Sequence, residues 1–354
     1  MLSGIERENF LKTVEMRGCE WIPIENFTFA PATWHKYREE LEKLVLRHPT
    51  IFGQYQVGEQ DFDHFAANYR RGAFTDAWGC VWHNALDGLL GMVKESPLTD
   101  WNALPSYKPP DPVVYDDNGA PQDWKSVRAR VEEIKKRGRL TVGHLPYPSF
   151  FNRLAYLRGF ENFMKDLIKG SSQFSTLIEM VLEHNIKLIN RWTEIGVDVM
   201  SIDDDFGTRD KLMISPRSFR KHLLPGYERM FRIAREGGSH LHFRSDGHIV
   251  EILDDLIEAG ANILEIQSFC NSLKDIRKIC KGKVCIELYI DNGQVLPLGS
   301  PKDIRKHVRE AVFELGSEEG GLIFSADVYP ETPLENIEVL CQAFEDYRCY
   351  YTRK

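Results

Sequence analysis

A chain of 354 residues that is 42% hydrophobic and 28% charged has ample material for a large core. Its formal net charge of −8 argues against a nucleic-acid partner, which would call for a basic surface. There is no apolar run of the roughly 18 residues that a membrane span needs, the first residues are too charged for a secretory signal, and seven cysteines without a CxxC pair fit a reducing compartment, so a cytoplasmic location is expected.

In chain order, Ile5–Met16 reads as a helix leading into a first strand, Glu20–Ile24, and Ala73–Trp82 reads as a second strand. The region 29–139 carries extra helices and a Pro-rich stretch, Ser106–Pro112. It reads as an elaboration covering one end of a single domain, 1–354. Regular alternation follows. A helix with Val127, Val131 and Ile134 on one face ends at Gly138 before a third strand, Leu140–Leu145. A long helix, Phe174–Ile195, leads to a fourth, Val197–Ile202, and Ser215-Pro216 then caps and opens a helix. His240–Phe243, Asn262–Ile266, Lys283–Leu288 and Gly321–Ser325 are the remaining strands. The helix between the last two opens at Ser300-Pro301 with Asp303 completing a capping box, and Thr332-Pro333 with Glu335 opens the final helix by the same rule. Strand–helix alternation demands parallel strands joined by crossovers, and eight strands predict a closed (β/α)8 TIM barrel of the α/β class, with an open doubly wound sheet as the alternative.

Chemistry in such a barrel sits at the C-terminal ends of the strands. Those ends deliver His144 and Tyr147; Asp203, Asp204 and Asp205; His242, Arg244 and Asp246; Glu265 and Gln267; Glu287 and Tyr289; and Ser325 with Asp327. Asp203, Asp204, Asp205, His242, Asp246 and Tyr289 are the candidate acid–base residues, because crowded and partly buried carboxylates hold protons near neutral pH. The plainer reading of the three aspartates is that two of them cap backbone amides in the turn and pair with Arg209. Arg244 is a candidate anion clamp. His144, Tyr147, Glu265, Gln267 and Glu287 are candidate substrate contacts, and Trp78 and Trp82 candidate walls of a flat apolar pocket. His242, Asp246 and Glu287 are a candidate metal set without the spacing of a standard motif. There is no GxGxxG, P-loop or GxSxG signature.

Several stretches taken together resemble the uroporphyrinogen decarboxylase superfamily, which includes the methyltransferases of corrinoid-dependent systems. They are Glu6–Leu11, Trp21–Ile24, Asp76–Trp82 (DAWGCVW), Leu157–Asn162, Asp203–Thr208 (DDDFGT), Ile214–Pro216, Ser245–Ile249 (SDGHI) and Thr332–Ile337. The resemblance implies a (β/α)8 barrel. The Arg-Gln-Ala-Gly-Arg motif by which the decarboxylases grip substrate carboxylates is missing, since Pro23–Thr28 has no arginine. The thiol methyltransferases bind zinc through a His-x-Cys pair and a later Cys. The aligned positions here are Arg244, Asp246 and about Ala326, so zinc is not expected. The resemblance therefore implies transfer of a methyl group from a small donor, expected to be an aryl methyl ether, to the Co(I) corrinoid (a cobalamin-type cofactor) of a partner protein. A homodimer is compatible with it. The alternatives are a decarboxylase and a ligand-binding barrel without catalysis.

Overall fold

The computed structural model describes residues 6–116 and 118–352. Seven parallel strands form its main sheet: β1 (Ile24–Phe29), β5 (Val142–His144), β6 (Val199–Asp204), β7 (His240–Ser245), β8 (Ile263–Gln267), β9 (Cys285–Tyr289) and β10 (Leu322–Val328), in the order β1-β10-β9-β8-β7-β6-β5. β2 (Gly72–Thr75), β3 (Val81–Asn84) and β4 (Met92–Glu95) form a separate antiparallel sheet. The main sheet curls on itself. Asn26 on β1 donates to Glu287 on β9 at 3.0 Å, and Arg244 on β7 reaches Asp327 on β10 at 3.2 Å, each contact skipping intervening strands.

Six of the expected strands take their places in this sheet, each within a few residues of its expected span. The front of the chain differs. The first strand begins where it was expected to end, after Pro23, and its register with β10 shifts between Ile24 and Phe27, where Asn26 adopts a positive φ of 47°. The expected helix is Arg7–Val14, and Ile5 lies outside the described residues. The expected second strand, Ala73–Trp82, does not join the parallel sheet. Asp76 accepts the N–H groups of Trp78 and Cys80 at 3.0 and 2.9 Å, Gly79 sits at φ 81°, and the chain reverses into the β2–β3 hairpin. The parallel sheet therefore has seven strands rather than eight, and among the described residues its edge strands β1 and β5 are unpaired with each other.

The helical caps follow the sequence closely. Ser215 and Ser300 cap their helices, the latter with the full capping box to Asp303. The last helix, Leu334–Tyr347, has Pro333 at its N-cap and no side-chain cap, so Thr332 does not play the expected part.

Alternation along the strands divides the molecule. Met200, Ile202, Leu241, Phe243, Leu264, Ile266, Ile286 and Leu288 face outward into the main core beneath the helices. On the concave face the lowest layer is apolar: Val199, Ile263, Cys285 and Ile323, plugged from below by Phe10 and Val14 of the first helix. Burying Phe10 alone contributes about 1.5–3 kcal/mol. Polar residues fill the layers above this plug, so the site lies at the other end.

Candidate active site

The middle layer of the concave face holds Ser201, His242, Glu265, Glu287 and Ser325, all at most 5% exposed. His242 Nδ1 meets Ser201 Oγ at 2.8 Å, which orients the ring. Its Nε2 then lies 3.4 Å from Glu265 and 3.3 Å from Glu287. These three facing atoms, with Ser325 Oγ, are buried and make no aligned hydrogen bond. Two buried carboxylates against one imidazole require a proton or a cation between them. Burial opposes charge on His242, yet Glu287 and Glu265 outweigh it and raise its pKa well above the usual value. Glu25 of β1 joins the group. Burial and the Glu287 carboxylate push it up to about 8, with His242 pulling the other way.

The upper layer is built around Arg244. Its guanidinium lies 3.4 Å from Glu265, 3.5 Å from Asp246 and 3.2 Å from Asp327, and 5.3 Å from the centre of the Tyr289 ring. Asp246 follows β7 in the Ser-Asp-Gly turn. Gly247 there has a φ of 82°, and a Cβ on it would stand 2.2 Å from the Gly207 carbonyl oxygen, so only glycine lets the β6 and β7 loops cross. Gln267 and Asn271 brace this turn by bonding the Gly247 N–H and carbonyl at 2.7 and 2.9 Å. Burial pushes Asp246 up to about 7, against Arg244 and with the help of Asp205, Glu265 and Asp327. Asp205 is raised by burial too. It accepts the Tyr147 hydroxyl at 2.6 Å and the Asp246 N–H at 3.4 Å.

Consecutive aspartates part company here. Asp203 shares the concave face, where Ser201 Oγ donates to it at 3.2 Å. Asp204 points to the outer face and is completely buried. It accepts the N–H groups of Phe150, Phe151 and Asn152 at 2.9, 3.1 and 3.0 Å and the Tyr227 hydroxyl at 2.5 Å, anchoring the start of the Phe151–Arg158 helix. These four contacts set it apart from the other candidate acid–base residues, on the face turned away from His242 and Arg244.

Trp78 and Trp82 are 2% and 3% exposed, deep in a network rather than on an open wall. Trp82 Nε1 and Arg153 both donate to Asp76, at 3.0 and 2.7 Å, and Trp78 lies against Arg153 and His184. Their influence on the site is relayed: Trp82 packs edge-on to Tyr156, whose hydroxyl meets that of Tyr147 at 3.1 Å. His144 ends the edge strand β5 within reach of the charges of Asp203 and His242, and loss of solvation there lowers its pKa. Tyr289 lies under Arg244, and Asn292 donates to its hydroxyl at 3.0 Å.

The expected metal set needs one exchange. His242, Glu265 and Glu287 offer ligand atoms all within 4.8 Å of one another, while Asp246 lies higher, with Arg244. Ligands held about 2.0–2.2 Å from a tetrahedral ion lie about 3.4 Å apart, the spacing already present around His242 Nε2. A nitrogen-and-oxygen donor set fits a divalent cation. The thiolate zinc site does not fit, because Arg244 and Asp246 pair with each other and Ala326 packs in the outer core. Glu25, Asn26 and Ser201 were missed in the sequence. The strand shift hid the first two, and a serine inside Val199–Ile202 carries no signal until its face is known.

The model of the family described as uroporphyrinogen decarboxylase (URO-D) matches residues 92–347. Methylcobamide:CoM methyltransferase MtaA of Methanosarcina barkeri is 26% identical over 190 residues, 53% of each chain. Uroporphyrinogen decarboxylase of Thermus thermophilus is 25% identical over 173 residues, 48% of each. The chain thus spans about half the length of these relatives. The structure of a methyltransferase from Methanosarcina mazei shares the fold, with a TM-score of 0.64 and 20% identity over 96% of this chain and 98% of that one.

Proposed function

Since the chain belongs to the uroporphyrinogen decarboxylase family, we propose that it is a corrinoid-dependent methyltransferase, moving a methyl group from an aryl methyl ether to the Co(I) corrinoid of a partner protein. One observation carries this reading: at the strand ends Asp246 donates its N–H to Asp205, which also accepts the Tyr147 hydroxyl, above the buried His242–Glu265–Glu287 group. A methyl ether resists cleavage because its leaving group is a phenoxide. As the methyl carbon passes to the reduced cobalt, the C–O electron pair stays on oxygen, and that oxygen needs a proton. Asp246 holds one near neutral pH, Asp205 and Tyr147 form the adjoining network, and the buried Tyr289 hydroxyl keeps its own proton to high pH. His242, Glu265 and Glu287 would hold a divalent cation, which when bound supplies a Lewis acid toward the ether oxygen.

MtaA supports the corrinoid half of the reading as a relative named for methylcobamide chemistry. Decarboxylation of a polycarboxylate is disfavoured by an upper layer whose guanidinium is already shared among three carboxylates. The test is incubation of the protein with Co(I) cobalamin and a panel of methoxyarenes. Loss of the Co(I) absorbance in step with release of the phenol is expected; no transfer from any donor, or CO2 release without corrinoid, sinks the reading. Elemental analysis of untagged protein is expected to find close to one divalent ion per chain, falling at least tenfold in occupancy in Glu287→Gln; a metal-free wild type that is fully active would remove the cation.

A further inference from the structure

We infer that this site takes methoxyarenes that carry no negative charge and discriminates against methoxybenzoates, with Asp327 as a specificity-determining residue. The inference rests on the methyl-transfer reading and goes beyond it by naming the donor's charge class.

Arg244 is the side chain that a ring carboxylate would seek, and two of its three nitrogens already face carboxylates. Its Nε faces Glu265 and its Nη2 faces both Asp246 and Asp327, at 3.4, 3.5 and 3.2 Å. Asp327 is itself tied down by the Thr28 hydroxyl, so it does not swing away cheaply. Across the sheet Asp203 is the register partner of Arg244, and Asp205 accepts the Asp246 N–H. One guanidinium thus answers to a ring of carboxylates, even with a proton on Asp246. Below it, His242 is matched by Glu265 and Glu287. Arg209, in the loop after β6, is a further cation, and it stands exposed, where water screens it. A carboxylate entering this layer would lose its hydration and meet like charges at short range without gaining a free cation, the arrangement by which sites reject wrong ligands. The phenols nearby are polar without being charged. Tyr147, hydrogen-bonded to Asp205 and Tyr156, offers a neutral methoxyphenol an uncharged hydroxyl and a half-buried aromatic ring.

Calorimetric titration of the full chain with 2-methoxyphenol, 1,2-dimethoxybenzene and 4-hydroxy-3-methoxybenzoate at one pH and ionic strength, paired with transfer rates to Co(I) cobalamin, tests this. The neutral donors are expected to bind and react at least about tenfold better, and Asp327→Asn, by releasing Arg244, is expected to raise benzoate affinity several-fold without raising that of 2-methoxyphenol. A benzoate that binds and reacts as well as the neutral donors overturns the inference while leaving methyl transfer standing. No binding or transfer from any of the three overturns both. If Asp327→Asn fails to fold, the wild-type ratio decides alone.

Discussion

Asp246→Asn is expected to lower the rate of methyl transfer by about 10²–10⁴-fold, the usual worth of a positioned general acid, while leaving the fold in place. The side chain stands at the rim of the site and touches Arg244 only at 3.5 Å, so little packing depends on it. The pH profile separates this role from a structural one. The acid form is the reactive form, and burial pushes Asp246 up to about 7. The wild-type rate is therefore high below neutrality and falls as pH rises through about 7. The Asp205 carboxylate accepts the Asp246 N–H and its charge raises Asp246, so that limb belongs to the pair. In Asp246→Asn the limb disappears or moves toward the value of Asp205 alone. A variant that keeps full activity and the same limb would assign the proton elsewhere, with Glu25, pushed up to about 8, as the next group to test.

Asp204→Ala is expected to act on stability instead. It removes one acceptor from three buried N–H groups and the Tyr227 hydroxyl. An orphaned buried donor costs about 1–3 kcal/mol, and a loss of about 3–5 kcal/mol overall lies at the severe end for a single substitution. Urea unfolding of the two proteins gives the difference directly. Loss below about 1 kcal/mol together with loss of turnover would return Asp204 to the catalytic group. Asp203→Asn provides the contrast: it lies on the concave face of the same strand, and its effect is expected on turnover with stability changed little.

These two neighbours show where the limit of the sequence lies. The fourth expected strand, with Asp203, Asp204 and Asp205 at its end, could be read from its apolar run and flanking helix signals, because those signals are local. The same holds for the alternation beyond residue 139, for the Ser300–Asp303 capping box and for the Ser-Asp-Gly turn that carries Asp246. Period-two alternation even separates Asp204 from its neighbours. It does not say which face meets the helices, and only the contact with Phe150–Asn152 turned Asp204 into an anchor.

Local signals therefore carried the order of elements beyond residue 139, the family and the set of polar residues delivered to the strand ends. The tertiary structure decided how that set is divided. Residues 72–84 left the parallel sheet because Asp76 and Gly79 favour a tight reversal, a turn whose strength against the pull of an eighth parallel strand cannot be judged without the partners on either side. Glu265 took the place expected for Asp246 beside His242 and Glu287 because parallel register sets them on adjoining strands, whatever their separation along the chain. Arg244, an anion clamp when read alone, became a charge already spoken for once Glu265, Asp246 and Asp327 closed around it. Charge is legible residue by residue, but compensation is a property of distances, and those exist only after the sheet has curled.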